Sequence, residues 1–283
     1  MSVDRLQEKI RKCKNPSVFH IEALPQWLPA QYGEGEFISD FRQYVLTLLG
    51  ALKDTVPAVR FGYGSFALVG AKGLAVLEDL MAAAREQGYY VLLDLPECLT
   101  VSAAKLAAQL VSGFGCDGFV VSGYLGSDVL QSMLALCKLG RTVFVVCRTA
   151  NRSAVEVQDL LTGGRLVHGA LADVISRHAE GYVAKGGYSQ MGILGAASSA
   201  TSLTTLRNKF PKLFLLLDGY DYPNSNAKNC SGAFDRLGHG AAACASDSIG
   251  AAWKEGEGED PAQQALQAAL RMKKNLTRYV TVL

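Results

Sequence analysis

Short apolar runs rich in β-branched and aromatic residues alternate with amphipathic stretches along almost the whole chain. Candidate strands begin near Ser17, Ala58, Tyr89, Gly118, Thr142, Gly181, Leu213 and Ala241, so successive starts lie 41, 31, 29, 24, 39, 32 and 28 residues apart. That spacing is the repeat of a strand, a crossover helix and two loops. Runs such as Thr142-Val143-Phe144-Val145-Val146 and Leu213-Phe214-Leu215-Leu216-Leu217 carry no polar alternation. They call for burial on both faces, which a parallel sheet covered by helices provides. Eight such units favour a closed barrel over an open doubly wound sheet. A dinucleotide-binding open sheet would also show a glycine-rich turn after its first strand, where Glu22-Ala23-Leu24-Pro25 stands instead.

The length of 283 residues suits one TIM barrel with terminal additions, since a (β/α)₈ barrel takes about 250 residues. The fold class is therefore α/β: a single (β/α)₈ TIM barrel with N-terminal and C-terminal helices. One domain is expected over 1–283, with the barrel over about 17–253 and a last helix over about 260–280. Within it, Gly70 to Gln87 spaces Leu74, Leu77, Leu80 and Met81 for one buried helical face. Gly126-Ser127-Asp128 reads as a capped helix start. Glu255 to Glu259 reads as a solvated acidic loop. Asp260 then caps the last helix, with Pro261 in its first turn and Ala262, Leu266, Ala269 and Leu270 facing the barrel.

A net charge of +2, with 19% of residues charged, gives no bias toward a polyanion, so nucleic acid is not an expected partner. No apolar run approaches the ~20 residues that span a bilayer, and the charged, helix-like start carries no apolar signal core. The seven cysteines are odd in number and show no C-x-x-C spacing. Reduced, mostly buried thiols in a cytoplasmic protein are the expectation. No two histidines have metal-ligand spacing, and no metal or cofactor is expected; Asp218, Asp221 and Asp247 are the acidic cluster nearest to a Mg²⁺ site.

In such barrels, chemistry sits where strands end. The eight ends supply Glu22, Arg60, Asp94, Ser122 with Tyr124, Arg148 with Asn151, Lys185, Asp218 with Asp221, and Asp247. Asp94 is expected to pair with Arg60 across adjacent strands, against the alternative of a free catalytic carboxylate. His20 reads as a core or lining histidine. His239 falls on the stability face, and His168 and His178 flank a helix and should be exposed. A thiol beside a carboxylate has its pKa raised, which argues against a reactive Cys98 next to Glu97.

From about Ser17 to Ile249 the chain resembles the orotidine 5'-monophosphate decarboxylases, most of all their longer bacterial branch. Asp54-Thr55-Val56-Pro57-Ala58-Val59-Arg60 looks like the family's second strand, with Arg60 where a lysine is usual. Tyr124-Leu125-Gly126-Ser127-Asp128, Thr149-Ala150-Asn151 and Gln158-Asp159-Leu160 resemble loops of that branch in the same order. Lys185-Gly186-Gly187-Tyr188 falls where the family tends to have Gly-Ala-Thr-Tyr. Leu92-Leu93-Asp94-Leu95-Pro96-Glu97-Cys98-Leu99 stands at the family's Asp-x-Lys-x-x-Asp motif. There Asp94 keeps the first position, while Pro96 replaces the lysine and Leu99 the second aspartate. Glu22 replaces the first-strand aspartate, and Ala150 the serine that contacts the pyrimidine. The phosphate loop reads Asp218 to Asn224, and the phosphate arginine falls within Ala245-Ser246-Asp247-Ser248.

The resemblance implies catalytic positions at Asp94 and Arg60. It implies ligand positions at Glu22, Tyr124, Asp128, Arg148, Asn151, Asp218, Asn224 and Asp247. It also implies homodimers joined across the open end of the barrel. The departures imply a decarboxylase-like barrel that has lost its activity and serves as a binding module for an unknown small molecule. Its proton donor is gone, and Arg60 is a poor acid because guanidinium stays protonated near pH 7. The alternatives are an active orotidine 5'-phosphate decarboxylase of pyrimidine biosynthesis, or an enzyme redirected to a non-phosphorylated substrate.

Overall fold

Eight parallel strands close on themselves in the order in which the chain makes them. The computed structural model describes residues 2–33, 35–95, 101–110, 115–256 and 260–282. The barrel strands are β1 (Ser17–Ile21), β2 (Ala58–Gly62), β3 (Tyr90–Asp94), β4 (Gly118–Ser122), β5 (Thr142–Val146), β6 (Met191–Ala196), β7 (Leu215–Asp218) and β8 (Ala241–Ala245). β1 closes the ring by pairing with β8, Ser17 beside Ala243. Each strand is followed by helical structure, and the connection from β5 to β6 also carries a two-stranded hairpin, Leu161–Thr162 with Arg165–Leu166. The acidic stretch 257–259, Pro96, Glu97, Cys98 and Leu99 lie outside the described residues.

Alternation along the strands divides the core in two. One set of side chains, including Phe19, Val59, Phe61, Val91, Val143, Ile193 and Leu217, points outward under the helices. The other set, including Val18, Tyr90, Leu92, Phe144, Phe214 and Leu216, fills the barrel interior. This is the period-two geometry of a strand, here buried on both faces. The N-terminal helix Ser2–Cys13 inserts Val3, Leu6 and Ile10 into the interior set and so closes the bottom of the barrel. Ser2 Oγ lies 2.7 Å from the Tyr90 hydroxyl, and Val3 N donates to Gln190 Oε1 at 2.9 Å. Burying each such aliphatic or aromatic side chain contributes about 1.5–3 kcal/mol, so Phe214→Ala inside the barrel would cost more than any surface change.

The sixth strand begins at Met191, not near Gly181. Glu180–Tyr182 is a turn of 3₁₀ helix, and Val183 makes an isolated bridge to Ser189. Lys185 accordingly leaves the site: Gly186 N donates to Asp4 Oδ1 at 2.9 Å, which ties this loop to the N-terminal helix at the opposite end of the barrel. His168 is also not exposed; it is 6% accessible, in the first turn of the helix Val167–Ala179. The last helix, Pro261–Thr277, is capped as expected, the Asp260 side chain accepting from Ala262 N. It buries Ala265, Ala269, Met272 and Leu276, whereas Leu270 turns partly to solvent. Six free cysteines are described, and five of them are buried. Burial pushes the thiols of Cys116, Cys137, Cys147, Cys230 and Cys244 up to about 12.

Candidate active site

The interior-facing series runs on past the hydrophobic layers into polar residues. Val18 is followed two residues later by His20 and then Glu22; Ala58 by Arg60; Leu92 by Asp94; Leu216 by Asp218; Ala242 by Cys244 and Ser246. These positions open into a cavity of about 510 Å³ at the C-terminal strand ends, lined also by Thr149, Ala150, Asn151, Asp221 and Asp247.

Arg60 sits at the centre, its side chain 7% exposed. Its Nε and Nη2 donate to Asp94 Oδ1 and Oδ2 at 2.7 and 2.8 Å, and Nη1 donates to Asp218 Oδ1 at 2.6 Å. Burial opposes the charge on Arg60, but Asp94 and Asp218 hold its pKa well above the ordinary value. Burial alone would likewise raise the Asp218 carboxyl, and Arg60, with His20 behind it, holds it below the usual range. Three of the five guanidinium N–H groups are thus directed at the two carboxylates.

His20 stands beside Arg60 in the β1–β2 register, with Nε2 3.6 Å from Asp94 Oδ2. Desolvation first, then the Arg60 charge, bring its pKa down to about 4, so the imidazole is neutral at pH 7. Burial raises the Glu22 carboxyl, Arg60 opposes, and Asp94, Asp218 and Asp247 add to the rise. Asp247 Oδ1 accepts from Trp27 Nε1 at 2.7 Å.

Asp221 does something that strand position alone does not suggest. Its Oδ2 accepts from the backbone N–H of Ser246 and, at 3.4 Å, from that of Ser248. A carboxylate of the chain itself therefore occupies the amides at the start of the turn Asp247–Gly250. Burial is the main reason its pKa is raised, and the Ser248 and Ser246 bonds oppose that rise. Five carboxylates, Glu22, Asp94, Asp218, Asp221 and Asp247, thus line the cavity with one guanidinium.

Of the residues expected at the site, Glu22, Arg60, Asp94, Asn151, Asp218 and Asp247 come together here; Tyr124, Asp128, Arg148 and Asn224 do not. Tyr124 turns its hydroxyl to Cys147 O at 2.7 Å. Arg148 makes a two-pronged pair with Asp159, Nε to Oδ1 at 2.9 Å and Nη2 to Oδ2 at 2.8 Å. Asp128 lies in the first turn of the outer helix Ser127–Lys138. Asn224 turns the loop with a left-handed φ of 69° while its carbonyl accepts from Asn229 Nδ2. Cys244 and Ser246 were not expected at the site, yet both follow interior residues at the same two-residue step. No group of three or more His, Cys, Asp or Glu able to hold a metal ion occurs among the described residues. No helix among them is long and apolar enough to cross a membrane.

Fold and cavity together define a (β/α)₈-barrel protein whose polar cavity lies at the strand ends where barrel enzymes keep their chemistry. Similarity to known proteins shows the family of such barrels to which the chain belongs. The chain is 30% identical over 226 residues to the orotidine 5'-phosphate decarboxylase of Deinococcus radiodurans, covering 78% of this chain and 81% of that one. It is 23% identical over 286 residues to the protein of that name from Clostridium perfringens, with 98% of both covered. The Leishmania donovani OMP decarboxylase structure superposes with a TM-score of 0.74 at 19% identity, covering 97% of this chain and 98% of the other. No family model matches the sequence. The chain belongs to the orotidine 5'-phosphate decarboxylase family.

Proposed function

We propose that this member of the family has lost decarboxylation of orotidine 5'-monophosphate and uses its cavity to bind a small molecule without a phosphate group. The observation that carries the reading is Asp221, whose carboxylate fills the Ser246 and Ser248 amides. A phosphate dianion entering there meets Asp221, Asp247 and Asp218 instead of a free cation. Two like charges at ~4 Å repel by about 4 kcal/mol at an effective dielectric of ~20. The sequence supplies the chemical side of the argument: Pro96 carries no proton to give a carbanion, and Leu99 carries no charge. Arg60 stays locked between Asp94 and Asp218. The reading places the protein in the cytoplasm as a homodimer joined across the open end, for which light scattering should show a species larger than 30.2 kDa.

A second reading, an active orotidine 5'-phosphate decarboxylase, draws on relatives of that name that match this chain over 98% of its length. A decarboxylation assay on purified protein separates the two. The first reading expects no uridine 5'-monophosphate above background. Turnover that co-purifies with the protein and vanishes in Asp94→Ala would establish the second.

A further inference from the structure

A second cavity, of about 390 Å³, lies outside the barrel mouth between the helices Val167–Ala179 and Ala200–Lys209. Leu166, Leu206 and Phe210 make its lining largely apolar, and three polar side chains follow one another within it. His168 places Nδ1 3.0 Å from Asp159 Oδ1 and 3.0 Å from the carbonyl oxygen of Gln158. Its Nε2 lies 3.3 Å from Ser202 Oγ. A carbonyl and an ionised carboxylate only accept hydrogen bonds, so Nδ1 carries the ring proton of the neutral imidazole. The lone pair of Nε2 then faces the Ser202 hydroxyl, the order of groups that activates a serine.

The surroundings suit that chemistry. The two-pronged bond from Arg148 holds the Asp159 carboxyl below its usual range, so Asp159 stays ionised and fixes the imidazole. Ser202 lies in the first turn of its helix, and Ser199, Thr201 and Ser202 all border the cavity. The first N–H groups of a helix have no intrahelical acceptor and carry the positive end of its dipole, which favours an oxyanion formed there. Lys209 and Arg165, both about half exposed, already share Asp173 at 2.5 and 2.8 Å. The apolar wall therefore sets what binds more than charge does.

We propose that Ser202 and His168, with Asp159 as positioning residue, form a serine-nucleophile site that hydrolyses small uncharged esters with an apolar acyl group. Ser202 Oγ bonds to the ester carbonyl carbon as its proton passes to His168 Nε2. The carbon–oxygen bond to the alcohol then breaks, and that proton leaves with the alcohol. Water, deprotonated by His168, attacks the acyl-serine; the carboxylic acid departs and Ser202 regains its proton.

The test treats the full chain with an alkyl fluorophosphonate and, separately, measures 4-nitrophenyl butyrate hydrolysis. The expected results are a single covalent adduct mapped to Ser202, and hydrolysis at least about 100-fold slower in Ser202→Ala. Ser202 is only partly buried, so that variant should unfold at the wild-type temperature. Asp159→Asn should lower kcat with KM unchanged, as a residue acting through His168 would. No adduct at millimolar probe, an adduct elsewhere, or wild-type hydrolysis by Ser202→Ala overturns the proposal.

Discussion

Arg60 meets Asp94 edge to edge, Nε to Oδ1 at 2.7 Å and Nη2 to Oδ2 at 2.8 Å, leaving only Nη1 to reach across to Asp218. β2 and β3 are neighbours, so the first pair is local; Asp218 comes from β7, and closure of the barrel brings it in. Removing one partner of such a buried group leaves uncompensated charge. Arg60→Met should therefore cost about 3–5 kcal/mol, read as a lower denaturant midpoint. Adding Asp94→Asn to Arg60→Met should restore part of the loss, because contacting sites are not additive. An Arg60→Met protein as stable as wild type would show that the triad contributes nothing to the fold.

His20 gives stability a pH dependence whose sign follows from its depressed pKa. The unfolded imidazole takes up its proton near 6.5 and the folded one only near 4. Between those values the unfolded state binds more protons, so stability falls as pH drops through that window, by about 3 kcal/mol in all. Glu22 and Asp221, with raised pKa values, work in the opposite direction there. Comparison with His20→Gln isolates the histidine: the variant should lose less stability than wild type between pH 7 and pH 4. Equal losses would mean that His20 does not titrate differently in the two states.

Gly219 holds a φ of +71°, and a Cβ there would come within 2.3 Å of the Ala150 Cβ. Both residues line the cavity. Gly219→Ala combines left-handed strain with overpacking and should cost about 3 kcal/mol in chemical denaturation. A variant that unfolds at the wild-type midpoint would contradict this contact.

Asp247 links the cavity to Trp27, a fully buried ring whose Nε1 donates to Oδ1. Asp247→Asn retains a carbonyl acceptor and should change stability little, while Asp247→Ala leaves the indole N–H unpaired and should cost about 1–3 kcal/mol. Tryptophan emission should shift in the alanine variant and not in the asparagine one. Identical spectra from all three proteins would place Trp27 outside the influence of the site.

The barrel was readable because six of its strands carry β-branched, leucine or aromatic residues, and the alanine-rich β8 falls at the expected spacing after them. The sixth was not, for a packing reason. Met191-Gly192-Ile193-Leu194-Gly195-Ala196 is rich in small residues, and a Cβ on Gly192 would meet Phe214 O at 2.5 Å and the Phe144 ring at 2.9 Å. The aromatic rings inside the barrel demand small neighbours, which weakens the strand signal there. The Gly181-Tyr182-Val183-Ala184 run then stood out in its place, and Lys185 was misplaced with it. At the site, strand ends named Arg60, Asp94 and Asp218, and stepping by two from the interior residues also reaches His20, Cys244 and Ser246. What strand position does not give is the direction of a loop side chain. Arg148 follows β5 yet points to Asp159, and Asp221 turns back onto the Ser246 amide.

The central claim is that the ancestral phosphate position now repels a nucleotide. Calorimetric titration of the purified protein with uridine 5'-monophosphate tests it most directly. The account predicts no saturable heat up to millimolar ligand, and none in the Asp94→Ala variant. Saturable binding by the wild-type protein would contradict the account, because the site would then accept a phosphate despite Asp221, and the decarboxylation assay would decide whether turnover goes with it.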